Sequence, residues 1–234
     1  MPFDPAGHRK RLQERFLSTD GNSLPDYEFL ELILTRCIPR RDVKPLAKQL
    51  LKHFFSFAAV LHADPEELKQ FKGIKESTIT MFKIILEANK YLLLNDLKCQ
   101  PVFSQWQNVI DYCRISIGYE TVERFIVFYL DKNMKLVRQE TSSSGTCDQV
   151  HLYPREVLKK ALSLNAVTVI LAHNHPSADI KPSQDDIRLT KELRRILYAN
   201  GIHLADHLII GGNKEPYSII NRLNLNEDAI PKNY

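Results

Sequence analysis

ILAHNHPSADIKPSQDDI, Ile170 to Ile187, runs from an apolar segment into two histidines, a polar loop, and then a serine and an aspartate three residues apart. The run that leads into it, AVTVILA (166–172), is continuously apolar, as expected of a strand covered on both faces. Strand side chains two apart point the same way, so His173 and His175 can face one point at the strand end. Pro176 supports this, because the residue before a proline is biased towards extended backbone. Ser183 then opens a helix, with Asp186 in its first turn and able to face back to the strand. Two neutral imidazoles and one carboxylate leave a fourth position for water, the pattern of catalytic rather than structural zinc. Zinc so held lowers the pKa of a water to about 7. The same donor set also suits iron. Taken singly, Ser183 reads as a helix N-cap and Asp186 as a charge favouring the positive end of the helix dipole. Taken together, these residues serve no core, since burying such groups unpaired is costly.

Working outward, the rhythm of the chain divides it near residue 100. LPDYEFLELILTRCI (24–38), VKPLAKQLLKHFFSFAAVL (43–61), DPEELKQF (64–71) and ESTITMFKIILEANKYLLL (76–94) carry apolar residues three and four apart, which predicts helices. Asp26 is the expected cap of the first, and Asp64-Pro65 a helix start for the third. Residues 1–100 therefore read as a small helical domain and 101–234 as a second, α/β (α+β) domain. In the latter, RFIVFYLD (124–131) suits a strand, Asp131-Lys132-Asn133 a hairpin turn, and MKLVRQETSS (134–143) its partner. YPREVLKKALSL (153–164) and SQDDIRLTKELRRILYAN (183–200) read as helices, the latter stopped by Gly201, and IHLADHLIIGG (202–212) as a further strand.

Composition excludes several classes. With 44% hydrophobic and 26% charged residues the chain is of ordinary globular type. No apolar run nears the roughly 18 residues that span a bilayer, and MPFDPAGHRKRLQERF does not read as a secretory signal. Cys37, Cys99, Cys113 and Cys147 are scattered, which argues against a disulfide framework or a sulfur-ligated zinc and for a reducing cytoplasm. The net charge is +4, and residues 1–100 hold 16 Lys and Arg against 13 Asp and Glu. That excess is compatible with weak DNA contact through residues 1–100 but falls short of a committed DNA binder.

The spacing H-x-H-x7-S-x-x-D resembles the signature of the JAMM (MPN+) metallopeptidases. Tyr153 to Leu193, with DHLII at 206–210, resembles RadC-type proteins of the UPF0758 family, as do LPDYEFLELIL (24–34), DVKPLAKQLLKHF (42–54) and EELKQFKGIKEST (66–78). The resemblance covers nearly the whole chain. It implies a JAMM/MPN-like zinc-hydrolase domain at 101–234, preceded by a small all-helical domain with a helix-hairpin-helix-like element. It implies His173, His175 and Asp186 as ligands of one Zn2+. Ser183 then assists the water or the developing oxyanion, and Glu123, just before RFIVFYL, is the general base, with Glu120 its nearest competitor. Two positions depart from the family pattern: Ala178 stands where HPSG is usual, and Lys75 stands where the hairpin usually has a second glycine. Ala178 is strained if its φ must be positive. His207 matches a family position that is no ligand and reads as hydrogen-bonded sheet structure, and Trp106 reads as packing. Cys147 and His151 admit a thiol–imidazole reading, with a loop thiol the plainer one.

The function expected is a zinc-dependent metallopeptidase acting on a peptide or isopeptide bond. The competing expectations are a DNA-associated repair accessory protein of the RadC type, and a scaffold that keeps a metal without catalysis.

Overall fold

The structure, a computed structural model, describes residues 5–19, 24–142 and 152–223. Cys147 and His151 lie outside these. Two compact units divide between Ala88 and Asn89, inside one long helix.

The first unit contains α1 (Pro5–Ser18), α2 (Asp26–Cys37), α3 (Lys44–Phe54), α4 (Phe57–His62), α5 (Pro65–Lys69) and the start of α6 (Glu76–Cys99). The expected three-and-four spacing brings Leu30, Leu34, Leu46, Leu50, Leu68 and Phe82 into one core. Two local expectations are corrected. The N-cap of α2 is Pro25 and not Asp26, which is the first helical residue and meets the positive helix end by charge alone. The run 43–61 breaks into α3 and α4, because Phe55 turns to φ 65 and Ser56 caps a new start through the Ala59 amide. Asp64 does cap α5, accepting from the Glu66 and Glu67 amides.

The second unit continues through a 3-10 turn (Val102–Gln105) to α7 (Trp106–Ile117), β1 (Phe125–Leu130), β2 (Leu136–Thr141), α8 (Pro154–Ser163), β3 (Thr168–Asn174), α9 (Gln184–Tyr198), β4 (His203–Ile210), β5 (Tyr217–Ser218) and α10 (Ile219–Arg222). The sheet order is β2-β1-β3-β4-β5. Among the described strands only β3 and β4 pair in parallel, with α9 between them in the chain, so the fold is a mixed α/β sheet. Both faces are covered, which is why β1 and β3 are buried along their whole length. Ile126, Phe128, Ile170 and Ala172 face Val109, Tyr112, Cys113 and Ile117 of α7. Phe125, Val127, Val169 and Leu171 face Val157 of α8 and Leu193 and Leu197 of α9. Trp106 packs at the edge of the α7 core and stacks on Phe103. No helix among the described residues is long and apolar enough to cross a membrane.

A register shift in the β3–β4 ladder sets which β4 residues meet the site. Val169 pairs with Leu204 but Ile170 with Asp206, so one residue is skipped. Side chains alternate along a strand, so one extra residue exchanges the faces that follow. Leu204 packs on the α8–α9 side, whereas Leu208 and Ile210 pack on the α7 side. His207, paired with Leu171, is thereby turned towards α9.

Candidate metal centre

β3 alternates, so His173 follows Val169 and Leu171 onto the α9 side, and Asn174 follows Ile170 and Ala172 onto the other. His173 is fully buried and its ring stacks on Phe125, with centroids 5.0 Å apart. His175 lies one residue past the strand, yet its amide still donates to the Ile210 carbonyl at 3.2 Å. The extended path that Pro176 favours therefore persists, and the two rings converge, with Nε2 atoms 3.0 Å apart. The loop then turns back through an Ala178 N–H bond to the His175 carbonyl. It is held from outside by Lys214 Nζ, which donates to the Ala178 carbonyl at 2.7 Å. Gly211 lies beneath it, and a Cβ there would sit 2.7 Å from Ile180 and 3.0 Å from the Ala178 carbonyl. Glycine is required at that position for the loop to lie this close.

Ala178 has φ 55. This is the left-handed region, which costs an L-residue about 1–2 kcal/mol. Ala178→Gly is expected to stabilise the protein. The gain is the relieved strain less about 0.4–1 kcal/mol of extra unfolded-chain entropy, leaving up to about 1.6 kcal/mol. Urea unfolding measures it as a raised midpoint at unchanged slope, and a lowered midpoint would show the strain to be absent.

α9 brings the third group. Ser183 is its N-cap and, with Asp186, forms a capping box: Ser183 Oγ accepts from the Asp186 amide at 3.1 Å, and the Ser183 amide donates to Asp186 Oδ2 at 2.7 Å. The Ser183 hydroxyl also donates to Oδ2, at 2.7 Å. The plain reading of these two residues and the metal reading hold together. The cap fixes Oδ2 and leaves Oδ1 directed at His173 Nε2, 3.2 Å away, while His175 Nε2 lies 3.4 Å from Oδ2.

His173, His175 and Asp186 thus form a cluster able to hold a metal ion. Zinc bonded at about 2.0–2.1 Å in a tetrahedron has ligand atoms roughly 3.3–3.4 Å apart along each edge. The two Nε2 atoms are 3.0 Å apart, and each lies close to a different oxygen of Asp186, His173 at 3.2 Å from Oδ1 and His175 at 3.4 Å from Oδ2, so the donor groups stand about as far apart as such a site needs. The His175 Nδ1 lies 2.6 Å from the Asp179 carbonyl, which can only accept, so Nδ1 carries the proton and Nε2 is the ring's free donor atom. The donor set and its spacing fit zinc. Burial acts to raise the Asp186 carboxyl, but the His173 and His175 rings and the Ser183 hydroxyl prevail and hold it well below the usual carboxylate range. Asp186 in turn raises the His175 ring against the pull of burial, helped by the Asp179 carbonyl.

Glu123 is half-buried in the segment before β1, near enough that its charge acts on the His175 ring. Glu120 is engaged elsewhere, accepting from Arg124 Nε at 3.0 Å. Asn174, the residue between the two histidines, anchors the segment that carries Glu123. Its Oδ1 accepts from the Arg124 amide at 2.8 Å, and its Nδ2 donates to the carbonyls of Val122 and Glu120. Asn174 and Thr190, and the bonding partners of His207, emerge only from the structure. A buried amide at the x of His-x-His, on the face opposite the ligands, was the available signal for Asn174. His207 is hydrogen-bonded within the sheet, as expected, and burial pushes its ring well below the ordinary imidazole range.

A two-histidine, one-carboxylate cluster at the end of a central strand, facing the start of a helix in a mixed sheet, defines a candidate metal centre of the JAB type. Residues 103–225 match the RadC-like JAB domain family, and residues 6–80 match the UPF0758 N-terminal family. The chain belongs to the UPF0758 family. It is 48% identical over 216 residues to a UPF0758 protein of Ruegeria pomeroyi, covering 92% of this chain and 96% of the relative. It is 45% identical over 204 residues to a UPF0758 protein of Rhodobacter capsulatus, covering 87% and 95% of the two chains. A UPF0758 protein of Fusobacterium nucleatum is 40% identical over 217 residues, covering 90% and 94%.

Proposed function

We propose that the protein is a zinc-dependent hydrolase of peptide or isopeptide bonds. The observation that carries this reading is the convergence of His173 Nε2, His175 Nε2 and the Asp186 carboxylate into one cluster able to hold a metal ion. These three residues would hold one Zn2+. When bound with an open position, zinc supplies an activated water at neutral pH and polarises a carbonyl. Glu123 accepts the proton of the attacking water and passes it to the leaving amine. Asn174 keeps Glu123 in register with β3 by clamping the backbone on both sides of it. The Ser183 hydroxyl turns its proton from Asp186 Oδ2 towards the developing oxyanion, a rotation about Cβ–Oγ that leaves the helix cap in place. The scattered cysteines, of which Cys37, Cys99 and Cys113 are free, support a cytoplasmic setting. The test is turnover of quenched peptides and of lysine-linked isopeptides by the zinc-loaded protein. Hydrolysis that a chelator abolishes and added zinc restores is the expected result. Hydrolysis indifferent to chelator would contradict it, as would zinc-loaded protein that cleaves no amide of either kind.

A second reading, a DNA-associated repair accessory protein, is favoured by one feature of the first unit. Exposed Lys72 and Lys75 flank the turn between α5 and α6, where Gly73 has φ +109 and Arg41 Nη1 donates to the Lys72 carbonyl. The Ile74 amide is already bonded to the Phe71 carbonyl, so phosphate recognition would fall mainly to the lysines. DNA binding by the full chain is expected to be weak and to fall steeply with salt, as contacts to phosphate alone do. Changing Lys72 and Lys75 together to Glu should abolish it. Tight, salt-insensitive binding retained by that variant would contradict the reading.

A further inference from the structure

Behind the candidate ligands lies a chain of buried polar groups that none of the proposed catalytic steps uses. Thr190 and His207 are both fully buried, on α9 and β4. Thr190 Oγ1 lies 2.6 Å from the Asp186 backbone carbonyl and 2.6 Å from His207 Nδ1. His207 Nε2 lies 2.8 Å from His173 Nδ1.

Only one assignment of protons satisfies all three contacts with neutral rings. A carbonyl can only accept, so the Thr190 hydroxyl donates to Asp186. Its oxygen must then accept from His207 Nδ1–H. A neutral His207 protonated at Nδ1 has a lone pair on Nε2, and a second proton there would bury a charge between an imidazole and a hydroxyl. His173 Nδ1–H therefore donates to His207 Nε2. That leaves the lone pair of His173 on Nε2, the atom facing His175 and Asp186.

We propose that Thr190 and His207 are positioning residues that lock His173 in its metal-binding tautomer, through a relay that starts on the Asp186 carbonyl and ends on the His173 ring. The relay ties the two buried candidate ligands to each other through α9 and β4. It depends on the register shift that turns His207 towards α9. Partners behind a metal-bound histidine commonly raise its affinity for the metal by fixing ring and proton in this way. The inference rests on His173, His175 and Asp186 holding a metal. It does not depend on the reaction catalysed.

The test is Thr190→Val, which keeps the shape of the side chain and removes the hydroxyl, set beside Thr190→Ser, which restores it. Zinc affinity is measured on the full chain by competition with a chromophoric chelator. Ring-nitrogen proton positions are read by NMR on metal-free protein. Thr190→Val should bind zinc roughly 10- to 100-fold more weakly, and Thr190→Ser should bind near wild type. In metal-free wild type, His173 and His207 should each carry the proton on Nδ1, and Thr190→Val should move it towards Nε2 on both rings. Thermal melting identifies a variant that has simply lost its fold, and the wild-type tautomers then still decide the matter. Wild-type zinc affinity in a folded Thr190→Val protein would overturn the proposal, as would a wild-type His173 with no proton on Nδ1. Failure of wild type to bind zinc would overturn the metal reading beneath it. The two failures are distinguishable because the tautomers are read without metal.

Discussion

Asp186→Ala, His173→Ala and His175→Ala are each expected to weaken zinc binding by roughly 100-fold or more. Structural sites with four ligands gain about 10–16 kcal/mol from zinc in all, so one ligand accounts for about 3 kcal/mol. The three variants should differ in their cost to the fold. Asp186→Ala also removes half of the α9 capping box, worth about 1 kcal/mol. His173→Ala leaves a hole beside Phe125 and strands the His207 ring without its partner. His175 is partly exposed, so its loss should disturb packing least. Chelator competition on folded variants measures the affinities, and unfolding midpoints measure the rest. Zinc retention at the wild-type level in all three would refute the ligand assignment.

Glu123→Gln should separate chemistry from metal holding. The amide keeps the size of the side chain but cannot take a proton. General acid–base catalysis contributes roughly 100- to 10,000-fold in rate, and turnover is expected to fall by that range with zinc affinity near wild type. Glu123 is not among the clustered ligand residues, although its charge reaches His175. Loss of a negative charge there should weaken zinc slightly at most. Full activity in Glu123→Gln would move the base elsewhere. Glu120 is a poor substitute, because Arg124 already holds its carboxylate.

Those two expectations draw on residues that differ in how far the sequence revealed them. The ligands were legible because their positions depend on short-range rules: strand alternation for His173 and His175, and the first turn of a capped helix for Ser183 and Asp186. Glu123 came only from resemblance, since nothing local marks a glutamate at a strand entry as anything but solvated. Asn174, Thr190 and His207 depend on long-range pairing. The turn of His207 towards α9 follows from a one-residue shift between β3 and β4 that no periodicity announces. The same limit explains the helix α7, whose apolar residues Val109, Tyr112, Cys113 and Ile117 take their meaning from the sheet they cover. The break at Phe55 was hidden for a different reason: one residue of left-handed backbone redirects a chain whose apolar spacing continues unbroken. Ala178 lies between these cases. The departure from glycine was visible, and the φ of 55 supplies the strain it implied.

Three side chains, from β3, the loop after it and α9, are proposed to hold one metal ion. The most direct measurement is zinc titration of chelator-treated wild-type protein beside Asp186→Ala, with bound metal counted per chain. One equivalent of zinc on wild type, absent from the folded variant at the same free zinc, is the expected result. Equal uptake by both proteins, or no uptake by wild type, would contradict it.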